Sequence, residues 1–198
     1  TFRYCGKLDL YFDLDTEKLG WWEGGNILIH VSEYGFGQNS NADATFLAPE
    51  NTNLIVPKPT PAYAVSHFLL EQKIGDNGLV MMLGRYNLLD LWAGFFPDYG
   101  HGLDGFMNVS SLIPFNLVIA GLPPTSNVGG LVKAGEKGLE SGLLVVENTN
   151  HPTNIGLNFP NGITLAGFGK RYTNFGQLPG YHTVIATCAT GKFTNLDT

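Results

Sequence analysis

Lys7 to Asp15 reads KLDLYFDLD, in which Leu8, Leu10, Phe12 and Leu14 alternate with Lys7, Asp9, Tyr11, Asp13 and Asp15. A period of two puts the apolar set on one face of a β-strand and the mostly charged set on the other; a helix would scatter both. Working outward, the turn-rich stretch Thr16 to Gly25 leads into a weaker alternation of Ile27, Ile29 and Val31 against Leu28, His30 and Ser32, which predicts a hairpin. Tyr63 to Lys73 and Leu79 to Asn87 flank Gly75-Asp76-Asn77-Gly78, a short polar turn suited to a second hairpin. Asn127 to Ala134 and Ser141 to Asn148, around the turn Gly135 to Glu140, predict a third. Gly162 to Tyr172 and Tyr181 to Thr190 predict a fourth, so about eight strands are expected.

The connections between these pairs are long. Gln38 to Pro61 is rich in Asn, Thr and Pro and shows neither strand nor helix period. Leu88 to Leu122 is a second excursion, aromatic and glycine-rich, with Trp92, Phe95, Phe96, Tyr99, Phe106 and Phe115. Short turns alternating with long loops are the asymmetry of outer-membrane barrels, with brief turns at one rim and extended loops at the other.

Composition removes several classes of function. Charged residues are 14% of the 198, and Lys and Arg number 11 against 17 Asp and Glu, a net charge of −6. No basic footprint is available to neutralise a phosphate backbone, so nucleic acid is not an expected partner. Hydrophobic residues at 43% supply enough apolar surface to fold. The apolar runs, such as Leu79 to Leu83, fall far short of the roughly 18 residues of a membrane-spanning helix. Cys5 and Cys188 stand alone near opposite ends, which motivates neither a zinc site nor a disulfide framework. Asp13, Asp15 and Glu17 resemble the start of a calcium loop, but Lys18 occupies the position that needs glycine. The five histidines show no metal-ligand spacing, Gly167-Phe168-Gly169 lacks the third glycine of a dinucleotide fingerprint, and no nucleophile-elbow or phosphate-loop motif occurs. No enzyme activity, cofactor or metal is expected.

The ordered set KLDLYFDLDTEKLGWWEGG, then LLEQ at Leu69 to Gln72, LGRYN at Leu83 to Asn87, FMN at Phe106 to Asn108 and LPGYHT at Leu178 to Thr183, resembles the carbohydrate-selective outer-membrane porins of the OprB type. The resemblance rests on the alternating first strand, the Trp22-Glu23-Gly24-Gly25 turn, the Glu71-Gln72 strand end and the Leu83-Gly84-Arg85 strand, and runs from about Tyr4 to Asp197. It implies an all-β, antiparallel transmembrane β-barrel in the bacterial outer membrane, bounded by lipid and passing carbohydrates by passive diffusion. Water-filled barrels have about 16 to 18 strands, so residues 1–198 are expected to supply an amino-terminal half. Monomer and homo-oligomer both remain open. A soluble β-sandwich carbohydrate-binding module is the alternative, since it would use the same alternation but bury its apolar face against a second sheet.

In a barrel, Leu8, Leu10, Phe12 and Leu14 would face hydrocarbon, and Asp9, Tyr11 and Asp13 water. Along Leu79 to Asn87 the expected parity sends Val80, Met82 and Tyr86 outward, and Met81, Leu83, Arg85 and Asn87 inward; His67 and Glu71 are placed inward to keep them wet. The candidate sugar-contacting residues are therefore Arg85, Glu71, Asn87 and His67, with Trp92 and Phe106 offering flat apolar faces if the long excursion folds inward. Arg85 and Glu71 could equally form a cross-strand ion pair, and Trp92 and Trp21 interfacial anchors.

Overall fold

The computed structural model describes residues 5–37, 62–95, 123, 125–136, 138–149, 156, 159 and 161–190. Among the described residues there are eight strands and one short helix: β1 (Cys5–Asp15), β2 (Gly25–Gly37), β3 (Ala62–Ile74), β4 (Leu79–Asn87), α1 (Leu88–Phe95), β5 (Thr125–Gly135), β6 (Gly138–Glu147), β7 (Ile163–Phe175) and β8 (Leu178–Ala189). All eight strands form one sheet in chain order, each pairing antiparallel with the next. This is the all-β meander expected from the sequence. Among the described residues β1 and β8 do not pair, so the sheet is open, and no second sheet packs on it as a sandwich would require. Strand lengths of 9 to 13 residues meet or exceed the roughly 9 to 11 that a tilted strand needs to cross a bilayer. The short connections Thr16 to Gly24, Gly75 to Gly78 and Gly176-Gln177 lie at the same end of the strands.

The two faces differ sharply. On one, Leu69, Met82, Tyr86, Val128, Val132, Leu144 and Val146 form a core closed over by Leu91 and Phe95 of α1. Leu88, Leu91 and Phe95 recur at the spacing that aligns side chains along one side of a helix, so α1 lays an apolar stripe on the sheet. Its far end is fixed twice: Phe95 packs edge-on to Phe168 of β7 with centroids 4.3 Å apart, and Lys170 Nζ donates to the Phe95 carbonyl. A cation at a helix carboxyl end is the favourable polarity. Among the described residues the opposite face carries no helix, and Leu8, Leu10, Phe12, Phe68, Leu83, Leu131, Leu143, Val145 and Leu165 are exposed on it.

The β4 parity is the reverse of that expected. Met82 and Tyr86 lie in the core with α1, while Leu83 is 55% exposed on the bare face, where it pairs with Leu70 and neighbours Phe68. Every residue from Leu79 to Leu83 is apolar, so alternation could not be read there. Gly84 sits at φ +143°, and a Cβ on it would lie 2.2 Å from the Phe68 carbonyl oxygen, so this crossing of β3 and β4 requires glycine.

The motifs Trp22-Glu23-Gly24-Gly25 and Glu71-Gln72, far apart in sequence, touch in space. The Trp22 indole N–H donates to Gln72 Oε1 at 2.7 Å, and Gln72 Nε2 donates to the Glu23 carbonyl at 3.1 Å. The Lys73 amide donates to the Gly24 carbonyl at 2.8 Å, tying the first turn to the end of β3.

Candidate functional site

A cavity of about 530 Å³ opens on the helix-bearing face between β1 to β4, the facing ends of β5 and β6, and α1. Tyr11 and Asp13 reach it from β1, His30 from β2, His67 and Glu71 from β3, Met82 from β4, and Asp90 and Leu91 from α1. A bulge in the β2–β3 ladder shapes it. The register shifts between His30 and Val31, which leaves Ser66 as the extra residue, and the Ser66 hydroxyl donates to the His30 carbonyl at 3.2 Å. As a result His30 and His67 stand directly opposite one another and present their rings on the same side.

His30 is 2% exposed and lies between two carboxylates: Nδ1 is 2.6 Å from Asp90 Oδ2 and Nε2 is 2.6 Å from Asp9 Oδ1. An imidazole carrying both protons satisfies this geometry, donating to each carboxylate. Tyr11 stacks on the ring with centroids 4.0 Å apart. The Asp9–His30–Asp90 chain thus ties β1, β2 and the first turn of α1 together, where a carboxylate also complements the helix dipole. His67 Nδ1 is 3.8 Å from Asp90 Oδ2, too far for a hydrogen bond, and instead accepts the Asn87 amide proton at 3.1 Å. That bond fixes the tautomer with the proton on Nε2, which has no hydrogen-bond partner among the described residues.

Of the candidates named from sequence, His67 and Glu71 both line this cavity. Asn87 is buried at the end of β4 and contributes its backbone N–H to His67. Arg85 lies elsewhere: its register partners are Phe68 and Asn127, in a row where Asn127 Nδ2 donates to Glu147 Oε2 and, at 2.7 Å, to the Gly156 carbonyl. Glu71 pairs with Met82, so Arg85 and Glu71 stand on opposite faces and are not the cross-strand pair considered from sequence. Trp92 belongs to α1, but its side chain lies outside the described residues, as does Phe106 altogether. Sequence reasoning passed over His30 and Asp90 as site residues. His30 was legible as the polar position of the β2 alternation, whereas Asp90 sits in LLDLW, where nothing marks an eight-residue helix returning to the sheet. Cys188 is free and exposed, and among the described residues no group of three or more His, Cys, Asp or Glu could hold a metal ion.

No protein-family model and no curated protein matches the chain. Among solved structures, the high-pH structure of Pseudomonas putida OprB superposes with a TM-score of 0.64 at 16% identity, covering 96% of this chain and 46% of that one. The chain therefore spans less than half the length of that structure. At this identity the likeness is one of fold: an antiparallel sheet built like part of a porin barrel.

Proposed function

We propose that this chain forms part of the wall of a bacterial outer-membrane β-barrel through which carbohydrates diffuse passively, without catalysis, cofactor or energy coupling. The observation that carries the reading is the division of one OprB-like sheet into two faces. Leucine, phenylalanine and valine side chains stand uncovered across the strands on one face, as an acyl-chain solvent requires, while Asp13, His30, His67, Glu71 and Asp90 line a cavity on the other. Neutral sugars need hydrogen-bonding groups that replace part of their hydration yet release them; that Glu71, His67 and Asp13 line one cavity supports this reading. The open edges at β1 and β8 would be closed by further strands of the complete barrel.

The test is permeability. The full-length protein reconstituted into liposomes is expected to let neutral sugars in at rates that fall with sugar size and to leave them chemically unchanged. Tight liposomes, with the protein dispersed as a compact particle in detergent-free buffer, would overturn the reading in favour of a soluble carbohydrate-binding module.

A further inference from the structure

We infer that the cavity beneath α1 is a binding subsite for a neutral monosaccharide, in which His67 Nε2–H donates to a sugar hydroxyl while Glu71 and Asp13 accept from neighbouring hydroxyls. The inference rests on the channel reading above and deepens it. Its first support is a donor with nothing to donate to. His67 is 4% exposed, its Nδ1 is committed to the Asn87 amide, and its Nε2 lacks a partner among the described residues while the residue lines the cavity. A buried N–H left without an acceptor is destabilising unless a ligand or water takes the proton, so such groups mark places where something binds.

The rest of the lining fits a pyranose. A volume of about 530 Å³ lies within the roughly 300 to 1,000 Å³ of small-molecule sites. A sugar ring has hydroxyls around its edge and C–H groups on its faces. The carboxylates of Glu71 and Asp13 meet the former, and Leu28, Leu69, Met82 and Leu91 meet the latter. Tyr11, held in a stack against His30, adds a flat wall. Asp13, Glu71 and Asp90 on three different elements repel anionic ligands, which selects neutral sugars over uronates and sugar phosphates.

The test is block of ion current through the full-length protein in planar bilayers, with D-glucose as the neutral hexose and D-glucuronate as its anionic counterpart. In His67→Asn the side-chain oxygen takes the place of Nδ1 and keeps the Asn87 amide bonded, but no donor reaches the cavity. Its half-blocking glucose concentration is expected to rise about five- to tenfold, the loss of one hydrogen bond. His67→Gln, whose terminal amide reaches the Nε2 position, should stay within about twofold of the parent protein. Glu71→Gln tests the acceptor side without touching His67 and should weaken block about two- to fivefold. Parent-like block by His67→Asn and Glu71→Gln, or block by glucuronate as effective as by glucose, would overturn the subsite while leaving the channel standing. A parent protein that opens no conductance would overturn both.

Discussion

Leu143 and Leu144 are neighbours in β6, yet the first is 59% exposed on the bare face and the second 4% exposed beneath α1. The same side chain one residue apart is uncovered in one case and enclosed by protein in the other. Leu144 is packed by protein, with Met82, Val146 and the α1 leucine around it, so its surroundings are fixed and cannot close over a vacancy. Leu143 meets no protein cover, and the strands beside it repeat the pattern with Leu131 and Leu165. A soluble sheet with one face packed places polar residues on the other. Here the uncovered face carries exposed leucine, phenylalanine and valine side chains, as the proposed hydrocarbon partner would require.

The comparison can be broken most strongly at those two residues. Leu144→Ala should cost about 2 to 5 kcal/mol, because the cavity it leaves beneath α1 is lined by fixed side chains. Leu143→Ala should cost far less in a bilayer, since mobile acyl chains fill the gap, whereas Leu143→Arg at mid-strand should cost about 2 to 4 kcal/mol there. Urea unfolding from lipid vesicles measures all three, and equal costs for the two alanine variants would erase the distinction between the faces. A smaller effect tests the crossing between them. Gly84→Ala would drive a Cβ into the Phe68 carbonyl at a backbone angle that L-residues avoid, and should cost about 1 to 3 kcal/mol, with loss of amide-exchange protection confined to β3 and β4. Smallest is Trp22→Phe, which keeps the ring but removes the proton given to Gln72; about 0.5 to 1.5 kcal/mol is expected, read as a shift in the urea midpoint.

Much of this architecture was legible. KLDLYFDLD shows both faces of β1 because its polar positions carry charge, and the structure keeps Leu8, Leu10 and Phe12 exposed together while Asp9 and Tyr11 turn to His30. All eight strands were found, with β4 bounded as expected at Leu79 and Asn87. What failed to be legible has a common cause. On the helix-bearing face of β4, Met82 is covered by an apolar helix rather than by water, so both faces of LVMML are apolar and the period vanishes. The same helix supplies Asp90, and its docking, not local sequence, brings Asp9, His30 and Asp90 together. The bulge at Ser66, which sets His30 opposite His67, leaves no mark in composition. Arg85, whose five donors suggest a sugar contact, belongs to a different row with Asn127, because side-chain polarity alone does not fix strand parity.

The direct measurement is nitroxide accessibility along β1 in lipid vesicles, using single labels in a background with Cys5 and Cys188 replaced by Ser. Labels at Leu10→Cys and Phe12→Cys should collide mainly with dissolved oxygen, which concentrates in hydrocarbon, and those at Tyr11→Cys and Asp13→Cys mainly with a water-soluble nickel chelate. Alternation with a period of two means that one face of the strand meets lipid and the other a hydrated interior. Equal exposure of all four positions to the nickel chelate would contradict it.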